Sequence, residues 1–113
     1  MIEQEQNNTK IAALNDRFRR SFIGGQVMTT AGISELPVEI KAKIFGLVQS
    51  YDRFTPDNDT YGEHDFGEIT INTNQKIFWK IDYYDKTMEF GSENPADPSV
   101  TTRVLTIMFA DEY

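Results

Sequence analysis

The sequence predicts an α+β domain, with a three- to four-stranded antiparallel sheet and two or three helices packed on one face. Apolar residues recur every three or four positions in the first half of the chain, which is typical of helices. From residue 68 to residue 84 they alternate with polar residues, which is typical of strands. The chain has 113 residues, of which 39% are apolar, and this composition suits one ordered domain. We expect residues 1–8 to be a flexible tail and residues 9–113 to form the domain.

The first helix is predicted to run from about Thr9 to Phe22 and to end at the paired glycines that follow. Its apolar residues share one helical face: Ile11, Leu14, Phe18 and Phe22. Three arginines lie mostly off that face, and we interpret them as a solvated flank or as partners of local carboxylates: Arg17, Arg19 and Arg20. Residues 26–33 are rich in β-branched side chains and are predicted to form a strand.

A second helix is predicted to begin near Leu36-Pro37, because proline suits the first turn of a helix. It ends at Phe54-Thr55, because the residue before Pro56 avoids the helical conformation. Its apolar residues again follow helical spacing: Ile40, Ile44, Leu47, Val48 and Tyr51.

Residues 67–73 and 76–85 are predicted to form a β-hairpin around Asn74-Gln75. In the second strand one face carries Ile77, Trp79, Ile81 and Tyr83, and the other carries Phe78, Lys80, Asp82 and Tyr84. Residues 87–91 are predicted to extend this meander, with Met88 and Phe90 on its inner face. The sequence leaves open whether helices cover both faces of the sheet or only one.

The final segment is predicted to be a helix, because Asp97-Pro98 makes a good helix start and the following apolar residues have helical spacing: Val100, Val104, Ile107 and Met108. Its β-rich composition makes a strand the alternative. Arg103 lies in this apolar segment, and we expect it to pair with an acid such as Asp82, since a buried arginine needs a partner.

The net charge of −7 originates in the second half of the chain. Residues 1–53 contain seven basic and six acidic side chains, whereas residues 54–113 contain four and twelve. Direct binding to nucleic acid usually needs a positive surface, so we do not expect it. A basic protein surface, such as that of a nucleic-acid-binding protein, fits this charge better; solubility alone is the alternative.

The sequence contains no cysteine, which excludes a disulfide framework, a thiol nucleophile and a thiolate metal site. The first residues lack the basic and apolar regions of a signal peptide. No apolar run approaches the roughly 20 residues that cross a bilayer. We therefore expect a cytoplasmic protein that does not bind membranes.

Residues 54–68, FTPDNDTYGEHDFGE, form what we call the acidic loop. It contains the chain's only histidine, His64, and a group of carboxylates that repel one another unless a cation or a basic partner is near: Asp57, Asp59, Glu63, Asp65 and Glu68. We predict that these carboxylates bind a basic protein partner. Tyr61 and Tyr84 are the predicted aromatic anchors, since tyrosine is enriched in interfaces.

The same loop also resembles a calcium-binding loop, with Asp57, Asp59, Asp65 and Glu68 as candidate ligands around the turn at Gly62. Tyr61 stands where a ligand is usual, and the loop leads into a strand rather than a helix. Calcium or another divalent cation is the only cofactor that the sequence suggests. In the alternative enzymatic interpretation, these carboxylates bind the metal of a small hydrolase and His64 acts as its base.

Three segments carry a family likeness: FTPDNDTYGEHDFG (54–67), FWKIDYYD (78–85) and DPSVTTRVLTIMFADEY (97–113). With IAALNDRFRRSF near the start, they resemble a family of small uncharacterised bacterial proteins, found mainly in proteobacteria and often encoded beside mobile-element genes. The resemblance implies no activity and no catalytic residue. It favours a role in phage, plasmid or defence biology. The favoured function is therefore a non-enzymatic inhibitor of nucleic-acid-handling machinery, of the anti-restriction or anti-CRISPR type, whose carboxylates take the place of phosphates.

Overall fold

The computed structural model describes residues 2–72 and 74–113, which form three α-helices and four strands. In chain order these are α1 (Ile2–Ser21), β1 (Gly25–Thr29), α2 (Ala31–Ser34), α3 (Val38–Gln49), β2 (Phe66–Asn72), β3 (Gln75–Tyr84) and β4 (Thr102–Phe109). A 3-10 turn, Ala110–Glu112, follows β4. None of the helices described is long and apolar enough to span a membrane.

The strands form one sheet in the order β1-β4-β3-β2. The predicted hairpin of β2 and β3 is confirmed, although Thr73 lies outside the described residues. The sheet is mixed rather than wholly antiparallel, because β1 pairs in parallel with β4, with Val27 opposite Leu105. The predicted α+β class, with four strands and three helices, is confirmed.

The final segment is a strand, so the predicted helix is wrong and the alternative is correct. β4 lies between β1 and β3 and is buried on both faces, with Leu105 and Ile107 on one side and Val104 and Met108 on the other. A strand that is apolar on both faces loses the alternation that identifies a half-buried strand. Asp97 does not cap a helix; its carboxylate accepts the N–H of Ser99 at 2.9 Å in a local turn.

Residues 87–91 form no extended strand, contrary to the prediction. Asp85 organises a turn there, since its Oδ1 accepts the N–H groups of Thr87 and Glu89 at 3.1 and 3.3 Å. Met88 has φ 63°, in the left-handed region, and Phe90 is 69% exposed instead of packing inside. Only one isolated bridge, between Tyr84 and Gly91, joins this segment to β3.

The first half of the chain differs from the prediction in three boundaries. Helix α1 begins at Ile2 rather than Thr9, so residues predicted as a tail are helical; Met1 lies outside the described residues. The predicted strand over residues 26–33 ends at Thr29, and its last residues form the short helix α2. The predicted second helix is confirmed as α3, but it ends at Gln49 rather than at Phe54-Thr55.

The three helices pack on one face of the sheet. Phe18 of α1, Ile33 of α2 and Ile44 of α3 belong to the same buried cluster as Trp79 and Leu105 of the sheet. The other face carries no α-helix among the described residues, and its side chains remain partly accessible to solvent, including those of Lys80 and Asp82. We call this the open face; the sequence had left its exposure undecided.

Candidate functional site

Two turns shape the first part of the acidic loop. In the first, the side chain of Asn58 donates to the carbonyl of Arg53 and accepts the N–H of Thr55, both at 2.9 Å. In the second, the N–H of Gly62 donates to the carbonyl of Asp59 at 3.0 Å. Gly62 has φ 68°, a left-handed conformation that glycine adopts without steric cost. The chain then returns to α1, so that the residues just before β2 contact that helix.

His64 fastens the acidic loop to α1. Its Nδ1 lies 3.0 Å from both carboxylate oxygens of Asp16, and its Nε2 lies 3.7 Å from Oδ2 of Asp59. The imidazole stacks on Phe54, with ring centroids 3.9 Å apart and planes inclined by 3°. His64 itself has φ 57°, a conformation that costs a residue other than glycine about 1–3 kcal/mol. The contacts of its ring and backbone offset this cost.

Arg19 holds Asp16 in position from inside the protein. Its fully buried guanidinium donates from Nη1 to Oδ1 of Asp16 at 2.9 Å. It also donates from Nε to the carbonyl of Val48 at 3.1 Å and from Nη2 to the carbonyl of Tyr51 at 2.9 Å. These carbonyls lie at the end of α3, where helical carbonyls lack internal partners and favour a cation. Of the two interpretations of Arg19, the solvated flank is wrong, and the partner of a local carboxylate, here Asp16, is confirmed.

Asn15 is fully buried at the junction of α1, the acidic loop and the sheet. Its Nδ2 donates to the carbonyl of Glu63 at 2.9 Å and to the hydroxyl of Tyr83 at 2.8 Å, and its Oδ1 accepts Nε of Arg103 at 2.7 Å. The hydroxyl of Tyr83 in turn donates to Oε1 of Glu63 at 2.8 Å. Burial raises the pKa of Tyr83 far above its ordinary value, so this hydroxyl stays a donor. One network therefore links the loop to both central strands.

Arg103 does not pair with Asp82, contrary to the expectation. Besides Asn15, its guanidinium donates from Nη2 to the carbonyl of Pro95 at 2.6 Å and lies 5.2 Å from the ring centroid of Tyr83. Burial lowers the pKa of Arg103 from its ordinary value. Asp82 projects from the open face and forms an ion pair with Lys80 at 2.8 Å. The two residues are on different faces of the sheet, which the spacing in the sequence did not reveal.

Asp65 is the carboxyl with the most unfavourable surroundings in this region. Its pKa is raised from the ordinary 3.8 to about 6, first by burial and then by the negative charges of Glu63, Asp59 and Asp82. A hydrogen bond from its own backbone N–H acts in the opposite direction. Among the described residues, no lysine or arginine forms an ion pair with it. A cationic group placed beside Asp65 would therefore stabilise its ionised form.

The structure separates the residues predicted to bind a partner. Asp59, Glu63 and Asp65 are partly buried and lie close enough for their charges to interact. Asp57 and Tyr61 are exposed on the outside of the loop, Tyr61 with 73% of its surface accessible. The carboxylates of the loop thus contribute both structural contacts and exposed charge.

The two remaining predicted residues lie in strands. Glu68 is exposed on β2, opposite Phe78 on the open face. Tyr84 is partly exposed at the end of β3, on the open face, whereas its neighbour Tyr83 joins the Asn15 network. Tyr84 therefore belongs to the open face rather than to the loop's contacts with α1.

The predicted metal ligands, Asp57, Asp59, Asp65 and Glu68, do not all face one point. Asp59 contacts His64, whereas Asp57 is exposed and Glu68 projects from β2. Within residues 2–72 and 74–113, no group of three or more histidine or carboxylate side chains is arranged to hold a metal ion. Metal binding by this loop stays a prediction.

The sequence-based reasoning missed several residues that organise the site: Asn15, Asp16, Arg19 and Tyr83. The positions of two of these residues in α1 could have indicated their role. Asn15 and Arg19 are four residues apart and adjoin the apolar residues of α1, so they lie on its buried side. Polar residues at such positions are buried only with partners, and this indicates a buried network.

Comparisons with known proteins give one match. Residues 29–112 match the model of a family described as "Protein of unknown function (DUF3768)". The matched region includes the acidic loop and strands β2, β3 and β4, whereas α1 and all of β1 except Thr29 precede it. Searches of curated proteins and of solved structures find no significant match.

Proposed function

Since the chain belongs to the DUF3768 family of proteins of unknown function, we propose that it is a non-enzymatic binding protein whose acidic loop engages a basic protein surface. The acidic balance of residues 54–113 supports this proposal. Two of the four basic side chains in that half have partners outside the acidic loop: Arg103 is buried, and Lys80 is paired with Asp82. Long-range electrostatic attraction would therefore steer basic partners towards this half of the molecule.

The observation that carries the proposal is the raised pKa of Asp65, about 6. A carboxyl crowded by burial and by like charges is held in an unfavourable state at neutral pH, and a lysine or arginine from a partner would relieve it. Natural proteins often retain such destabilising groups where function needs them. The exposed Asp57 and Tyr61 flank this position in the same loop and supply charge and an aromatic anchor.

We further propose that the partner is a protein that handles nucleic acid. The loop carboxylates would stand where phosphates of a nucleic acid otherwise bind, so the protein would inhibit a nucleic-acid-handling protein. An anti-restriction or anti-CRISPR inhibitor of bacterial mobile elements would be an example. The loop's fastening to α1 through His64 supports this form, because a preorganised array of charges loses less entropy on binding.

The test is a pull-down from host lysate with the Asp57→Asn/Asp65→Asn double variant, performed at low and high salt. Glu35→Gln/Glu39→Gln is the matched control, because it removes the same charge from exposed residues outside the acidic loop. We expect the loop variant to lose the captured protein and the control to retain it, with wild-type capture weakened by salt. Equal capture by both variants would contradict the proposal.

Calorimetry with the purified captured protein gives an independent readout. If a partner cation lowers the pKa of Asp65, binding at about pH 6 releases protons, and the measured enthalpy depends on the buffer's ionisation enthalpy. The Asp65→Asn variant should lose this dependence. A proton-neutral interaction of the wild type would refute the role of Asp65.

The second candidate is a small metal-dependent hydrolase, and the Asp16–His64 pair favours it. Asp16 accepts a hydrogen bond from Nδ1 of His64, which leaves Nε2 as the nitrogen that can take a proton, and the side chain is 29% exposed. Titration with calcium, magnesium, manganese and zinc separates the candidates, because only the hydrolase should show saturable binding. If the protein is the hydrolase, His64→Gln should abolish turnover.

A further inference from the structure

The open face contains a groove of about 590 Å³ that runs along β4. Val104, Thr106 and Met108 form its floor, and β1 and β3 form its sides. Val104 and Met108 make the two ends of the floor apolar, but they are almost wholly buried, although no α-helix described covers them. The accessible apolar surface of the groove therefore belongs to the side chains that surround it.

Exposed apolar side chains surround this groove. Met28 on β1 is 53% exposed and Met88 is 39% exposed. At one end, the ring of Tyr113 packs against Phe66 and Phe78 with centroid distances of 6.1 and 5.8 Å, yet three quarters of Tyr113 is accessible. Methionine adapts its shape to a facing surface, and contiguous apolar patches on soluble proteins often mark interaction sites.

The charges at the centre of the open face are self-complementary. Lys80 and Asp82 project side by side from β3, with Nζ and Oδ2 2.8 Å apart and about a third of each side chain exposed. A two-fold axis that lies in the interface, parallel to the sheet and crossing β3 between the two residues, places Lys80 of one copy opposite Asp82 of the other, and the reverse. An interface of this kind needs no second protein with a matching charge pattern.

We propose that the open face is the interface of a homodimer, in which two sheets pack face to face as in a β-sandwich. Strands β3 and β4 pair over eight residues, and at about 3.4 Å per residue and about 4.8 Å per strand the four-stranded face has a footprint of about 500 Å². Protruding side chains increase this area towards the roughly 800 Å² per partner of a standard interface.

The balance of charge on this face argues for a second copy rather than for a basic partner. Lys76 and Lys80 stand there against Glu68, Asp82 and Glu112, so the open face is nearly neutral although the chain carries −7. A strongly basic partner would be steered to the acidic loop instead. A nearly neutral apolar surface can meet its own copy without strong repulsion.

The first experiment measures mass against concentration by light scattering and sedimentation, from about 1 µM to about 1 mM. The wild type should shift from 13.0 kDa towards twice that mass. Met28→Glu should stay monomeric, because it places a desolvated charge in the interface. Val38→Glu is the matched control: Val38 is 73% exposed on α3, on the helical side of the sheet, so this variant should still dimerise. A wild type that is monomeric throughout would overturn the proposal.

The second experiment exchanges charges and does not depend on Met28. Lys80→Asp makes both positions of the pair acidic, and Asp82→Lys makes both positions basic. Two copies of the same variant would bring like charges together, so each variant alone should be monomeric. Mixing them should restore a dimer that contains one copy of each, which native mass spectrometry identifies by its mass. Mixing cannot restore the ion pair within either chain. A restored dimer would therefore show that positions 80 and 82 of the two copies meet at the interface. If the mixture remains monomeric while the wild type dimerises, this face is not the interface.

Discussion

Replacing Asp65 by asparagine should make the protein more stable at neutral pH. The pKa of about 6 in the folded protein, against the ordinary 3.8, means that folding disfavours the ionised carboxyl. At about 1.4 kcal/mol per pH unit this difference amounts to about 3 kcal/mol. Because the side chain is only partly buried, solvent screening reduces the expected effect to about 1–2 kcal/mol. Asparagine has nearly the same shape and carries no charge, so the variant should gain this free energy of unfolding above about pH 7.

The pH dependence of the free energy of unfolding tests the direction of this effect independently. Below the ordinary pKa, the carboxyl is protonated in both the folded and the unfolded chain, and the substitution should change little. As the pH rises from 3.8 through about 6, the wild type alone should lose the contribution of this carboxyl, and the difference between the two proteins should then stay constant. Urea unfolding followed by the fluorescence of Trp79, the only tryptophan and fully buried, measures this directly. Asp57→Asn, at an exposed position of the same loop, is the control and should have little effect. Parallel pH profiles of wild type and Asp65→Asn would refute the reasoning.

Three further substitutions test the packing around the site, each by urea unfolding. Asn15→Ala should cost about 3 kcal/mol, because it removes the partner of Arg103 Nε and the donor to the carbonyl of Glu63; a cost below about 1 kcal/mol would contradict the network. Tyr83→Phe should cost about 1–2 kcal/mol, since only its hydroxyl joins the network, and an unchanged midpoint would count against it. Gly67→Ala should cost about 1–3 kcal/mol and alter the emission of Trp79, because the new methyl group would overlap the indole; unchanged emission would exclude that overlap.

The local elements of the fold were largely predictable from the sequence. α3 and the β2–β3 hairpin show regular apolar periods, and the hairpin's turn residues adjoin its strands. β4 was not predictable in this way, because both of its faces are buried and its apolar residues also fit helical spacing. Its parallel pairing with β1 depends on contacts between distant parts of the chain, which no local pattern encodes.

The candidate site was predictable in location but not in arrangement. The density of carboxylates identified the acidic loop, yet the orientation of Asp59, Glu63 and His64 depends on Asp16 and Asn15 of α1. Adjacent side chains in an irregular loop can project in any direction until a distant element supplies partners. The left-handed backbone of His64 is an example, since contacts made across the fold stabilise a locally unfavourable conformation.

The central position of β4 also affects how the protein folds. The hairpin joins neighbouring residues and can form early, whereas pairing Val27 with Leu105 closes a loop through most of the polypeptide. Until Phe109 has left the ribosome, β1 has no strand beside it and one edge of β3 lacks hydrogen-bonding partners. We therefore expect the nascent chain to gain native structure late, in one cooperative step, and to rely on chaperones while those edges are unprotected.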